Sequence, residues 1–136
     1  MVDKGLIGRK FDGSSNKEKD SKTGEPKVQE CGPNDQPARE GMKAYKVLGS
    51  RFELPENYEI IEPVGSGAYG VVIAVKDKSG DESNNLVAIK KIEKAFEHKV
   101  FAMRTLRELK IMRLLDHDNI LSIQSILMPE SLENFD

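Results

Sequence analysis

The chain has no tryptophan, one cysteine and two histidines among its 136 residues. The lone cysteine, Cys31, allows neither a disulfide framework nor a paired-cysteine metal site. His98 and His117 have no neighbouring ligand set, so they read as a surface residue and a turn residue, and no metal site is expected. Long apolar runs are missing too, and no stretch approaches the ~18 apolar residues of a membrane span. The start, Met1-Val2-Asp3-Lys4, has no signal-type apolar core and no glycine in position 2 for myristoylation. A net charge of −2 gives no bulk electrostatic case for a nucleic-acid partner. A cytoplasmic protein is the expectation, with the nucleus also open to it.

Apolar residues are scarce and aperiodic over residues 1–44, which are rich in Lys, Asp, Glu, Ser, Gly and Pro. Such a segment buries too little surface to offset its ordering entropy. It reads as a disordered N-terminal arm, with a regulatory tail or docking arm as the functional alternative. Residues 45–136 then remain for one small domain.

What is present centres on Val64-Gly65-Ser66-Gly67-Ala68-Tyr69-Gly70-Val71-Val72. Its G-x-G-x-x-G spacing lets a backbone without Cβ atoms approach a ligand closely, and backbone dipoles bind phosphate oxygens well. Dinucleotide-binding folds share the spacing, but there a helix follows the glycines. Here Val71-Val72-Ile73-Ala74-Val75-Lys76 follows, short and β-branched, so a strand is predicted. With Tyr58–Val64 before it, the glycines become the tip of a hairpin. Pro63 predicts an edge or irregular first strand, because proline cannot donate to a ladder.

Tyr45–Leu48 and Arg51–Pro55 read as two extended pieces around a Gly49-Ser50 turn. Leu86–Ile92 reads as a strand after the polar loop Asp77–Asn85. Alternation puts Ala88, Lys90 and Ile92 on one face and Val87, Ile89 and Lys91 on the other. A helix is predicted from about Lys99 to Leu115, with Phe101, Thr105, Glu108, Met112 and Leu115 on one stripe. A carboxylate at the centre of a buried stripe needs a cation nearby. After the turn Asp116–Asn119, Ile120–Met128 reads as a further strand, ended by Pro129.

In this order the motifs resemble the N-terminal lobe of eukaryotic protein kinases. Gly65, Gly67, Gly70 and Val72 match G-x-G-x-x-G-x-V, and Val87-Ala88-Ile89-Lys90 matches the lysine-bearing strand. Glu108 matches the helix glutamate that pairs with that lysine. Gly-Ala-Tyr-Gly-Val-Val, Ala-Ile-Lys-Lys-Ile, Arg-Thr-Leu-Arg-Glu-Leu-Lys-Ile and His-Asp-Asn-Ile resemble the mitogen-activated protein (MAP) kinases more closely. Met103-Arg104-Thr105-Leu106-Arg107-Glu108 stands where cyclin-dependent kinases carry a Pro-Ser-Thr-Ala-Ile-Arg-Glu type sequence.

The resemblance spans residues 45–136. It implies an α+β fold, a five-stranded antiparallel sheet with one main helix, of which four strands are well represented and the fifth would follow Asp136. It implies ATP as ligand. Val64, Gly65, Ser66, Gly67, Ala68, Tyr69, Gly70 and Val72 would form the loop over it. Val64, Val72 and Ala88 would sandwich the adenine, or simply pack the core. Lys90 would contact the α- and β-phosphates and pair with Glu108, with Lys91 a solvated strand lysine. Met112 and Ile123 would belong to a hydrophobic column between lobes, or to ordinary core. Arg104 and Arg107 would meet a phosphorylated loop, or form a solvated basic face.

The family's catalytic aspartate, both Mg2+ ligands and its activation loop have no counterpart in these residues. Phosphoryl transfer depends on positioning and metal-assisted charge stabilisation. The chain by itself is therefore expected to be inactive and poorly soluble. The complete protein is expected to use ATP and Mg2+ on Ser/Thr substrates, probing the following proline, and to answer to an upstream activating kinase. A truncated, non-catalytic binding or interaction module is the alternative.

Overall fold

The computed structural model describes residues 2–3, 28–32, 39–68, 70–79, 85–129 and 131. Its strands are β1 (Val2–Asp3), β2 (Val28–Glu30), β3 (Met42–Val47), β4 (Ser50–Pro55), β5 (Tyr58–Gly67), β6 (Gly70–Asp77) and β7 (Leu86–Lys91), followed by the helix α1 (Lys99–Leu114). They form two antiparallel sheets, one in the order β1-β7-β6-β5 and one in the order β2-β3-β4.

β6 and β7 are apolar on both faces, and the pleat gives each face its own use. Ile73 lies opposite Ile89 and Val75 opposite Val87. With Ile60 and Val71 they pack against Val47, Phe52 and Leu54 of the second sheet in one core. On the other face Val72 lies opposite Lys90, and Ala74 opposite Ala88. One face of the sheet thus holds the fold together, and the other carries the residues singled out in the sequence.

β5 is an edge strand, and its register shifts between Ile60 and Glu62 and again between Pro63 and Gly65. This is the edge and irregularity that Pro63 predicts. The turn between β3 and β4 sits one residue earlier than the expected Gly49-Ser50. Leu48 and Gly49 take positive φ angles of 50° and 84°, the pattern of a two-residue hairpin turn whose twist suits its strands. Ser50 already belongs to β4, opposite Val47, and is buried.

Along this sheet Glu53 accepts hydrogen bonds from Arg39 Nε at 2.9 Å and Arg51 Nη2 at 3.3 Å. Burial alone would push its carboxyl up, but these guanidinium contacts outweigh it and hold the group below the usual range. Tyr45 and Tyr58 are shifted upward, each chiefly by burial. Glu30 and Glu59 add to the shift at Tyr45, and Asp77 to that at Tyr58.

Order reaches further toward the N-terminus than composition predicts. β1, β2 and the first half of β3 all precede residue 45. Glu30 pairs with Tyr45, and Val28 packs on the core, so a short run gains ladder bonds and apolar contact together. Residues 4–27 and 33–38 lie outside the described residues.

The expected single five-stranded sheet and the strand over Ile120–Met128 are corrected. The stretch 120–129 has only an isolated bridge at Ser125. A strand needs a partner for its N–H and C=O groups, and β7 already pairs with β6 and β1. Leu127 still packs on the core, whereas Ile120, Leu121, Ile126 and Met128 are exposed.

Candidate functional site

The glycine stretch is a hairpin tip, as its flanking residues predict. Gly65 pairs with Val72, Ser66 with Val71 and Gly67 with Gly70. Ala68 stands at the tip, and Tyr69 lies outside the described residues. A strand, not a helix, follows the glycines, which removes the dinucleotide-binding alternative.

The three glycines have different reasons to be glycine. Gly70 has φ +126°, and a Cβ there would stand 1.9 Å from the carbonyl oxygen of Lys91. The fold itself requires it. A Cβ at Gly65 or Gly67 would meet nothing within 4 Å, and neither has a positive φ. Their bareness serves no contact inside the described residues and leaves the backbone open to something outside the chain.

Lys90 and Glu108 meet across the space below this tip. Lys90 Nζ donates a hydrogen bond to Glu108 Oε1. The pair joins the end of β7 to the middle of α1. Glu108 is not deeply buried; its side chain is 41% exposed, against 25% for Lys90. The helix has no buried residue, so the cost of an interior carboxylate is smaller than its position on the stripe suggests. A half-exposed pair contributes about 1 kcal/mol or less to stability. Its value is therefore in placing the lysine amine.

Gly67, Ala68, Gly70, Lys90, Arg104 and Glu108 line one cleft of about 470 Å³. Of the expected phosphate contacts, Gly67, Ala68, Gly70 and Lys90 thus come together in one cleft. Val64, Gly65, Ser66, Val72 and Ala88 do not line this cleft. Val72 and Ala88 share the sheet face of Lys90 by register, and Val64 is exposed. Arg107, Met112 and Ile123 also lie outside the cleft. His98 is exposed and stacks edge-on against Phe101 at 5.5 Å. His117 Nδ1 accepts a hydrogen bond from the Asn119 N–H at 3.0 Å, as a turn residue should.

Sequence reasoning missed three features of this region. Ala74, opposite Ala88, is a second small buried residue on the sheet face of Lys90. A pair of alanines in adjacent strands was the available signal. The connector 92–98 contributes Lys94 and the buried Ala95 to the cleft wall. Lys91, expected to be solvated, donates to the Arg51 carbonyl oxygen at 2.7 Å. Strand alternation separates the two lysines correctly but says nothing of the sheet packed on the opposite face.

Among the described residues no group of three or more His, Cys, Asp or Glu side chains could hold a metal ion. The residues fit the triphosphate half of a nucleotide: bare backbone at the hairpin tip faces an anchored ammonium across an open cleft. No helix of the described residues is long and apolar enough to cross a membrane.

Comparison with known proteins agrees with this geometry. The protein kinase domain profile matches residues 58–132. The chain is 46% identical over 93 residues to Extracellular signal-regulated kinase 1 of Dictyostelium discoideum, covering 68% of this chain and 17% of that protein. It is 42% identical over 95 residues to Mitogen-activated protein kinase homolog 1 of Petunia hybrida, covering 70% and 24%. With Mitogen-activated protein kinase 5 of Arabidopsis thaliana it shares 47% identity over 92 residues, covering 67% and 24%. The chain thus spans about a quarter or less of the length of these relatives. With the kinase profile covering more than half of it and these relatives agreeing, the chain belongs to the protein kinase family, in its MAP kinase branch.

Proposed function

We propose that these residues form the ATP-binding half of a MAP-kinase-type Ser/Thr protein kinase. The observation that carries this is the cleft under the glycine tip, where Lys90 is held by Glu108 opposite Gly67, whose bareness no contact among the described residues requires. Gly65 and Gly67 let the hairpin backbone lie close over the phosphates. Lys90 supplies a charge-assisted donor to the α- and β-phosphates. Glu108 fixes that donor and takes no part in the transfer. Val72, Ala74 and Ala88 offer a shallow apolar floor for the base on the same sheet face.

Mg2+ would neutralise charge on the phosphates when bound, through residues other than those described here. In the complete kinase the nucleotide would serve transfer to Ser or Thr followed by proline, in the cytoplasm or nucleus, under an upstream kinase. The chain alone would bind nucleotide without transferring its phosphate.

Titration of Mg-ATP into the wild-type chain and into Lys90→Met tests the reading. A charge-assisted hydrogen bond is worth about 1.5–3 kcal/mol, so Lys90→Met should bind about 10- to 150-fold more weakly. Equal affinity of the two proteins would remove Lys90 from the site.

A further inference from the structure

The adjacent lysines at the end of β7 tie down two different parts of the molecule. Lys90 reaches α1 through Glu108. Lys91 reaches the second sheet through the Arg51 carbonyl oxygen and lies 3.9 Å from Glu93 Oε1. Glu93 in turn accepts a hydrogen bond from the buried hydroxyl of Ser50 at the start of β4. Ser50, Glu93 and Lys91 thus fasten the connector 92–98 to the second sheet before the chain enters α1.

That fastening matters because no fully buried side chain of the helix anchors it. Ala95 in the connector is the nearest buried residue before it. Ser50, by contrast, is held rigidly. It sits beside the tight turn at Leu48 and Gly49, on a sheet whose Val47, Phe52 and Leu54 pack in the core.

We propose that Glu93, clasped by Ser50 and Lys91, is a positioning residue. It sets where the connector leaves the sheet, and so whether Glu108 meets Lys90. The consequence for nucleotide binding rests on the function proposed above. The clasp itself can be tested without nucleotide.

The readout is the rate at which an acylating reagent modifies the Lys90 amine, followed by mass spectrometry on the full chain, with Lys76 as the internal standard. An amine engaged by a carboxylate reacts slowly. Glu108→Gln frees Lys90 and sets the upper limit. Ser50→Ala and Glu93→Ala should each raise Lys90 modification about three- to tenfold relative to Lys76, the range that loss of one or two hydrogen bonds allows. Glu93→Gln keeps an acceptor for Ser50 and should stay nearer to the wild type. Wild-type rates at Lys90 in both alanine variants, with Glu108→Gln fast, would overturn the clasp and leave the Lys90–Glu108 pair standing. A rise shared equally by Lys76 would overturn it as well, because it would show general loosening. No rise even in Glu108→Gln would overturn the pair, and the clasp with it. A titration of Mg-ATP that failed on the wild type would count against the proposed function alone.

Discussion

The paired sheets and the helix are stabilised in opposite ways. The sheets contain the shared core, with Ile73, Val75 and Val47 wholly shielded from solvent. The helix has no fully buried residue, and Val100, Met103, Leu106 and Leu114 are more than half exposed. A few polar groups hold it in place. The difference separates what makes the domain fold from what makes its site: stability resides in apolar area between the sheets, and site geometry in hydrogen bonds that add little to stability.

The largest contrast should come from truncating one apolar side chain in each region. Ile73→Ala leaves a cavity in the core and should cost about 2–5 kcal/mol, seen as a lower urea midpoint. Leu114→Ala, at a side chain 79% exposed, should change stability by no more than about 0.5 kcal/mol. Equal losses would mean that the helix shares the core after all.

A smaller contrast lies within the glycine hairpin. Gly70→Ala forces a Cβ into the Lys91 carbonyl and keeps a positive φ, so it should destabilise by more than about 1 kcal/mol. Gly65→Ala should leave the melting temperature near that of the wild type while weakening Mg-ATP binding. Loss of stability at both positions would show that Gly65 serves the fold and not a ligand.

The smallest effect concerns pH. Glu53 has a carboxyl held low in the folded state, so its contribution is complete above the ordinary carboxylate range. That contribution is lost as pH falls through the lowered folded value. Glu53→Gln should therefore flatten the acid side of the stability profile. An unchanged acid limb would remove the Arg39 and Arg51 contacts as its cause.

Local patterns fixed most of this architecture. β-branched runs marked β6 and β7, and the stripe through Phe101 and Met112 located α1 to within a residue. The Lys90–Glu108 pair followed from alternation along one element and periodicity along the other, joined by the family resemblance. What was not legible depended on partners distant in sequence. The segment after Asn119 has strand composition but no ladder, because composition does not supply a neighbouring strand. Val28 lies in polar surroundings, yet β3 gives it one. Ser50 and Glu93 are 43 residues apart, and nothing local to either marks their contact.

The glycine hairpin is slung between two supports of unequal stiffness. Its return strand, β6, is bonded on both sides and pinned at Gly70 against the end of β7. Its outgoing strand, β5, runs along the sheet margin with two breaks in step. The tip's support is therefore lopsided: β6 holds the Gly70 side between two strands, while among the described residues the Gly65–Gly67 side is held by one neighbour alone.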